Sequence, residues 1–397
     1  MPASGLKGLH ENMVEPQRSV RFLSWGKPEA EADWQRLVQA TRIAVDTESD
    51  PFHRYFEKVC LIQISTESED FIYDPLVHGL VEPLRRVLTD RERIVVLHGG
   101  DYDVRTLKQS FQLTLGRVFD TALAAQFLGM RNTGLKALLE AELDIVIDKG
   151  EQRSDWGQRP LTEAQVAYAR QDTMYLLPLA NRLNERLQEI GRKTWHEEEC
   201  ARLRERLPVE KIFDPESWRK VKGAQALGGR GRRVLQAAFV WREDAARAAD
   251  KPPFRIARND QLFRLAKAID TQGPRVLARL KRLEFLPKGI DRTALGLAVA
   301  TGLEGPDPGE RRKPSPSGTP RVPHSQVSKE RLSRLRAGRT EWANKLGLDP
   351  GFLVSSALLD QVARIAPQSV DELAGVTGMT AWRIEAIGAQ IMETLRL

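Results

Sequence analysis

From Arg42 onward the chain alternates short β-rich apolar runs with stretches of helical periodicity, a pattern that predicts an α/β domain. The runs at 43–45, 59–64 and 71–73 lie too close together to admit helices between them, so they are expected to form an antiparallel meander. A helix near 80–88 then precedes a strand at 94–97, and a helix over about 101–109 precedes a strand at 118–119. Such crossovers predict parallel neighbours, and the whole predicts a mixed sheet flanked by helices. From 133 to about 207 apolar residues recur at helical spacing, with Pro160 and Pro178 the main breakers, so this stretch is expected to be almost wholly helical.

The second half reads differently. Residues 215–300 predict several short helices rich in Arg and Lys, residues 304–323 hold six prolines among Gly, Ser and charged residues, and residues 328–397 are again helical. An offset of 97 aligns the two helical blocks, pairing Pro253 with Pro350, Ile256 with Leu353, Leu262 with Leu359, Leu265 with Val362 and Ala266 with Ala363. That coincidence suggests a duplicated all-α module. The expected organisation is a loose tail at 1–20, an α/β domain at 21–207, a helical domain at 208–302, a Pro-rich linker at 303–327 and a second helical domain at 328–397.

Charge sharpens the division. Residues 1–200 carry 25 Lys and Arg against 32 Asp and Glu, a balance of −7, whereas residues 201–397 carry 36 against 22, a balance of +14. One half can thus collect phosphates while the other concentrates carboxylates around cations. No stretch approaches a run of 18 apolar residues, and the first twenty residues lack the apolar core of a signal peptide, so neither membrane association nor export is expected. Cys60 and Cys200 provide neither a disulfide framework nor zinc spacing, which fits a cytoplasmic protein. Gly228-Gly229-Arg230-Gly231 lacks the Gly-Lys-Ser/Thr ending of a phosphate-binding loop, so no nucleotide-triphosphate site is expected.

Three segments carry candidate chemistry. Asp46-Thr47-Glu48 ends a strand, and residues two apart on a strand share a face, so two carboxylates are forced together. That arrangement is costly without a cation, although acidic residues also end strands as turn formers. In His98-Gly99-Gly100-Asp101-Tyr102-Asp103 a buried strand gives way to a helix. Asp101 is expected to be its N-cap and Asp103 to sit in the first turn, where it could simply complement the helix dipole. Tyr168 and Asp172, four apart in a helix starting at Thr162, share a face, as a surface contact also would.

Together these residues resemble something specific. Asp46, Glu48, Asp103 and Asp172 are similar in order and context to the acidic motifs of the DEDD exonucleases, and Tyr168 resembles the tyrosine subclass. The histidine subclass would need His where this chain has Ala167. Residues 148–156, Arg159-Pro160-Leu161-Thr162, Tyr175-Leu176-Leu177-Pro178 and Asp120-Thr121 narrow the resemblance to the ribonuclease D family, over residues 20–200. Trp241-Arg242-Glu243 with Pro252-Pro253, and residues 358–366, resemble HRDC domains, the helical modules that follow the nuclease in that family.

The resemblance implies an RNase H-like nuclease fold followed by two HRDC-like domains, with Asp46, Glu48, Asp103 and Asp172 holding two divalent cations, Mg²⁺ or Mn²⁺. Asp46 would bridge, Glu48 and Asp172 would complete the nucleophile side, Asp103 would support the other ion largely through water, and Tyr168 would hold the attacking water. The implied activity is 3′-to-5′ exoribonucleolysis from a single-stranded 3′ end, releasing nucleoside 5′-monophosphates. Precursor tRNA is the implied substrate class, and no obligatory protein partner is evident.

Arg230, Arg232, Arg233, Arg275, Arg279, Lys281 and Arg282 are expected to neutralise RNA phosphates. Deleting 208–397 is accordingly expected to spare hydrolysis but weaken binding. Competing readings are the same chemistry on single-stranded DNA, a decayed nuclease kept as a binding scaffold, and an RNase H-like endonuclease. Nothing in the sequence reads a 2′-hydroxyl. The intact acids disfavour the scaffold, and the helical Tyr-x-x-x-Asp pattern disfavours the endonuclease.

Overall fold

A computed structural model of the chain describes residues 18–24, 26–147, 150–209, 212–309 and 325–396. The expected tail and Pro-rich linker fall largely outside these, at residues 1–17 and 310–324. Six strands form one sheet: β1 (Val20–Leu23), β2 (Arg42–Ser49), β3 (Val59–Ser65), β4 (Asp70–Tyr73), β5 (Ile94–Leu97) and β6 (Arg117–Asp120), in the order β1-β4-β3-β2-β5-β6. β2, β3 and β4 are the expected antiparallel meander, while β5 and β6 join β2 in parallel. β1 pairs in parallel with β4, so the sheet begins inside the stretch expected to be a tail.

Strand alternation sorts the side chains onto two faces. Ile43, Val45, Val95 and Leu97 pack against α1 (Glu31–Gln39), α2 (Glu82–Thr89) and α3 (Asp101–Phe111). Ala44 and Val96 face the other way, onto α4 (Thr121–Phe127), α5 (Leu135–Leu143) and α7 (Leu176–Glu189). α6 (Glu163–Gln171) and α8 (Lys193–Arg204) complete the nuclease unit. The stretch from 133 is less helical than its periodicity predicts. Between Leu143 and Glu163 the described residues form turns and irregular chain, and α6 starts afresh behind Thr162, whose hydroxyl closes a capping box with Gln165.

The first helical unit contains α9 (Gly229–Ala248), α10 (Asn259–Gln272) and α11 (Arg292–Glu304); α9 is a long helix rather than one of several short ones. The second contains α12 (Gln326–Leu346), α13 (Ser356–Ile365) and α14 (Ala381–Arg396). The offset of 97 carries the start of α9 onto that of α12 and the start of α10 onto that of α13. It also aligns the short turns Pro253–Ile256 and Pro350–Leu353, and the paired aliphatic residues, though not the two prolines, are buried in both units. At the N-terminus of α9 the amides of Gly228 and Gly231 both donate to the Asp270 carboxylate, each at 2.8 Å. A Cβ on Gly231 would lie 2.9 Å from that group, so glycine there admits a protein carboxylate where a phosphate-binding loop would admit phosphate.

Neither helical unit stands apart. The second shares one apolar core with the nuclease: Phe127 and Trp195 meet Trp382 with ring centroids 5.1 and 5.5 Å apart. Glu198 of α8 accepts from the backbone amides of Ala381 and Trp382 at 2.8 and 2.9 Å, supplying acceptors that the first turn of α14 needs. Gly129, at φ +73°, approaches so closely that a Cβ would lie 2.1 Å from the Gly347 carbonyl. The first unit instead grips the loop after β2, with Asp250 accepting from the backbone amides of Tyr55 and Phe56 at 3.1 and 3.0 Å.

Candidate active site

Asp46 and Glu48 sit at the C-terminal end of β2, on the face shared with Ala44, as the period of two requires. The β2–β3 register slips immediately after Glu48, a bulge of the kind that re-aims a strand's last side chains. Tyr168 lies in the last turn of α6, and Asp172 is the residue that closes that helix. Carboxylate oxygens of Asp46, Glu48 and Asp172 all lie within 4.8 Å of one another, and all three residues are half-buried. The Tyr168 hydroxyl donates to Asp172.

Asp103 stands slightly apart from this trio. It is buried in the first turn of α3, and its Oδ1 accepts from the Thr47 hydroxyl at 2.6 Å. Thr47 lies between the two strand acids but points to the opposite face, so it ties the fourth carboxylate to the same strand end. Asp101, expected to be the N-cap, is instead the first helical residue; Gly100 is the cap and makes no side-chain bond. Asp101 is spent on Arg105 and Arg206, both at 2.9 Å. The turn is held by buried Asp120, which accepts from the Gly100 amide at 2.7 Å and also caps α4. His98 Nδ1 lies 2.9 Å from the Thr121 hydroxyl, so this strand-end histidine is satisfied within the fold.

Crowding sets the electrostatics. Withdrawal from water, then the charges of Asp103, Asp172 and Glu48, hold Asp46 well above the ordinary carboxylate range. The same causes, with Asp172 the strongest neighbour, push Glu48 up to about 9. Burial raises Asp103 to about 6, countered in part by the Thr47 hydrogen bond. Burial, then Asp172, Glu48 and Asp46, lifts the Tyr168 phenol above its ordinary range.

A cation would reverse each carboxylate penalty, and the all-oxygen donor set suits a hard divalent ion. Gln63 adds an independent sign of fit. It pairs with Asp46 across the β2–β3 ladder, is 1% exposed, and neither its amide oxygen nor its nitrogen has a hydrogen-bond partner among the described residues. A buried amide left unmatched beside a carboxylate cluster is expected to complete its bonds with water that a cation orders.

Thr47, Gln63 and Asp120 are the site residues that motif reasoning passes over as candidates. Thr47 and Gln63 are legible only once the strand register is known. Asp120 leaves a trace, as an acid at the end of a strand before a helix.

Comparisons with known proteins follow the same lines. Residues 27–188 match the family model described as 3′-5′ exonuclease, and residues 328–395 match that of the HRDC domain. Ribonuclease D of Xanthomonas oryzae pv. oryzae is 28% identical over 93% of this chain and 97% of its own length. Ribonuclease D of Desulfotalea psychrophila is 30% identical over 82% and 86% respectively. The crystal structure of the catalytic core of RRP6 from Trypanosoma brucei matches with a TM-score of 0.64 at 28% identity, covering 74% of this chain and 81% of that one. That of Escherichia coli RNase D, described as an exoribonuclease involved in structured RNA processing, shares the fold over 95% of this chain and 99% of its own, with a TM-score of 0.62 at 24% identity. A mixed sheet carrying convergent acids, a following HRDC domain and relatives matched nearly end to end agree: the chain belongs to the ribonuclease D family and is a hydrolytic 3′-to-5′ exoribonuclease.

Proposed function

We propose that this exoribonuclease trims single-stranded 3′ ends, those of precursor tRNA in particular, releasing nucleoside 5′-monophosphates one at a time. The observation that carries this reading is the convergence of Asp46, Glu48 and Asp172 within 4.8 Å, with the Tyr168 hydroxyl on the last of them. Asp46, Glu48 and Asp172, with Asp103 beside them, would hold two divalent cations, Mg²⁺ or Mn²⁺. When bound, such ions acidify water and neutralise charge on the phosphate and on the leaving oxygen.

The chain's own groups supply alignment. The Tyr168 hydroxyl donates a hydrogen bond to Asp172, so its oxygen is left to accept from a water and turn that water's lone pair toward phosphorus. Because burial and three carboxylates hold the phenol protonated, it orients the water and does not deprotonate it. Thr47 fixes Asp103, and Asp120 fixes the turn that presents it. As the water oxygen bonds to phosphorus, the bond to the 3′ oxygen of the preceding nucleotide breaks. The 3′ oxygen takes up a proton, and the released nucleotide keeps its 5′ phosphate.

The test is a 5′-labelled single-stranded RNA beside its DNA counterpart, with Mg²⁺, Mn²⁺ or EDTA, on wild type and Asp46→Asn. A ladder shortening by single nucleotides on RNA, abolished by EDTA and by Asp46→Asn, is expected. Preferential cutting of the DNA, or cleavage that persists in EDTA, would overturn the reading. A precursor tRNA shortened no faster than an unstructured RNA would remove the tRNA part of it.

A further inference from the structure

Between the nuclease sheet and the first helical unit lies a cleft of about 630 Å³, the size of sites that hold small organic ligands. Its nuclease walls continue the elements that carry the acids. The loop at 50–58 leaves β2 just beyond Glu48, and Gln109 lies six residues, about 9 Å, along α3 from Asp103. The opposing wall is α9 with Phe213. The loop is clamped there: besides the Asp250 bonds to Tyr55 and Phe56, Arg255 Nε donates to the Phe52 carbonyl at 2.8 Å.

Within this cleft Phe56 is 54% exposed, its ring edge-on to Tyr55 at 5.0 Å. Tyr55 is itself fixed by its hydroxyl on Glu243 and by the Arg247 guanidinium 5.7 Å from its ring centroid. Arg54 and Arg247 line the same cleft, and neither has an ion-pair partner among the described residues, unlike Arg159 on Asp74 or Arg170 on Asp70. Glu243 and Asp244 act on Arg247 only at longer range, and the Tyr55 hydroxyl accepts from it at 3.4 Å, so the cleft presents a held aromatic face flanked by two cations outside direct ion pairs, a combination that binds single-stranded nucleic acid with the base stacked and the backbone neutralised. Glu57, also on the wall, suits a ribose hydroxyl or base amino group and would repel a bare phosphate.

We propose that the cleft holds a nucleotide of the RNA strand upstream of the scissile bond, its base on Phe56 and its phosphate near Arg54 and Arg247. This rests on the 3′-to-5′ exoribonuclease assignment. The strand would enter between the nuclease and the first helical unit and reach the acids along the β2 loop, so a dinucleotide would be too short to occupy the cleft.

The test compares a dinucleotide with a ten-nucleotide RNA on wild type, Phe56→Ala, Arg247→Gln and the control Phe22→Ala, an exposed aromatic outside the cleft. Stacking on one aromatic changes binding by about 1–3 kcal/mol, so Phe56→Ala is expected to raise KM for the longer RNA by roughly tenfold. KM for the dinucleotide should change by less than about twofold, a split that general damage to the fold would not produce. Phe56→Trp should restore the longer RNA's KM, and 2-aminopurine placed upstream should be quenched by the Asp46→Asn protein but not once Phe56→Ala is added. Equal effects on both lengths, or no effect on the longer one, would overturn the proposal, the latter leaving Phe56 to an apolar protein partner. If wild type turns over neither RNA, the nuclease assignment fails first and the proposal falls with it.

Discussion

Gln63 faces Asp46 across the β2–β3 ladder with a buried side-chain amide that no described residue satisfies. Leaving such a group unmatched costs about 1–3 kcal/mol, so its retention beside the acids implies a partner present only in the loaded site. Gln63→Leu, close in volume and unable to hydrogen-bond, is therefore expected to leave metal-free stability unchanged or raised. It should weaken Mn²⁺ affinity by about 10- to 100-fold, as loss of an outer-shell partner does. Calorimetric titration of Mn²⁺ beside a thermal melt without metal reads both. Unaltered affinity would make Gln63 an ordinary strand residue.

Tyr168 and Asp46 divide the work unequally. The phenol is held protonated by burial and by Asp172, Glu48 and Asp46, so removing its oxygen costs orientation only. Tyr168→Phe is expected to lose roughly 10- to 100-fold in kcat at saturating metal, and Asp46→Asn at least about tenfold more, since its carboxylate belongs to the trio itself. The pH profile of Tyr168→Phe should keep the wild-type shape. Loss of its alkaline limb, or equal losses in the two variants, would make the phenol a true base.

Much of this is legible in the sequence alone. The period of two at β2 sufficed to put Asp46 and Glu48 on one face, and the spacing of four to put Tyr168 beside Asp172. Parallel pairing of β5 and β6 followed from the helices between the strands. β1 was hidden because Val20–Leu23 is too short to show alternation and gains its order from β4, nearly fifty residues away. Asp101 misled because its carboxylate finds Arg206, a partner distant in sequence, and the turn is fixed by Asp120 instead. Of the basic residues assigned to RNA, Arg232 is spent on Asp307 at 2.7 Å, a pairing no periodicity reveals.

The acids make metal-free stability depend on pH in a direction opposite to most carboxylates. Folding raises Glu48 from its ordinary 4.5 to about 9, so across that window the folded chain keeps a proton that the unfolded chain releases. Stability without metal should fall as pH rises from about 4.5 toward 9, because the unfolded state binds fewer protons there. Glu48→Gln removes the penalty: its metal-free melting temperature should exceed wild type's at pH 9 and converge with it at pH 4.5. Saturating Mg²⁺ should reverse the order at pH 9 by stabilising only the chain that retains the carboxylate. Melts at the two pH values, with Mg²⁺ and with EDTA, check this; a Glu48→Gln curve parallel to wild type would refute the charge crowding.

The shared core changes what truncation is expected to do. A chain ending at Leu207 would leave Phe127 and Trp195 facing water where Trp382 and Phe352 now cover them. It would also strip Glu198 and Glu199 of the amides, the indole and the guanidinium they bind. Exposed aromatics at this density favour association over folding. The fragment should melt well below the full chain or aggregate on gel filtration, where charge distribution alone predicts an intact nuclease that merely binds RNA less tightly. Trp382→Ala isolates the contact within the full chain. Deleting so large a buried side chain costs about 3–5 kcal/mol, and the lower melting temperature should come without change in the salt dependence of RNA binding. A fragment ending at Leu207 that keeps the full chain's melting temperature would reduce the second helical unit to an RNA-binding appendage.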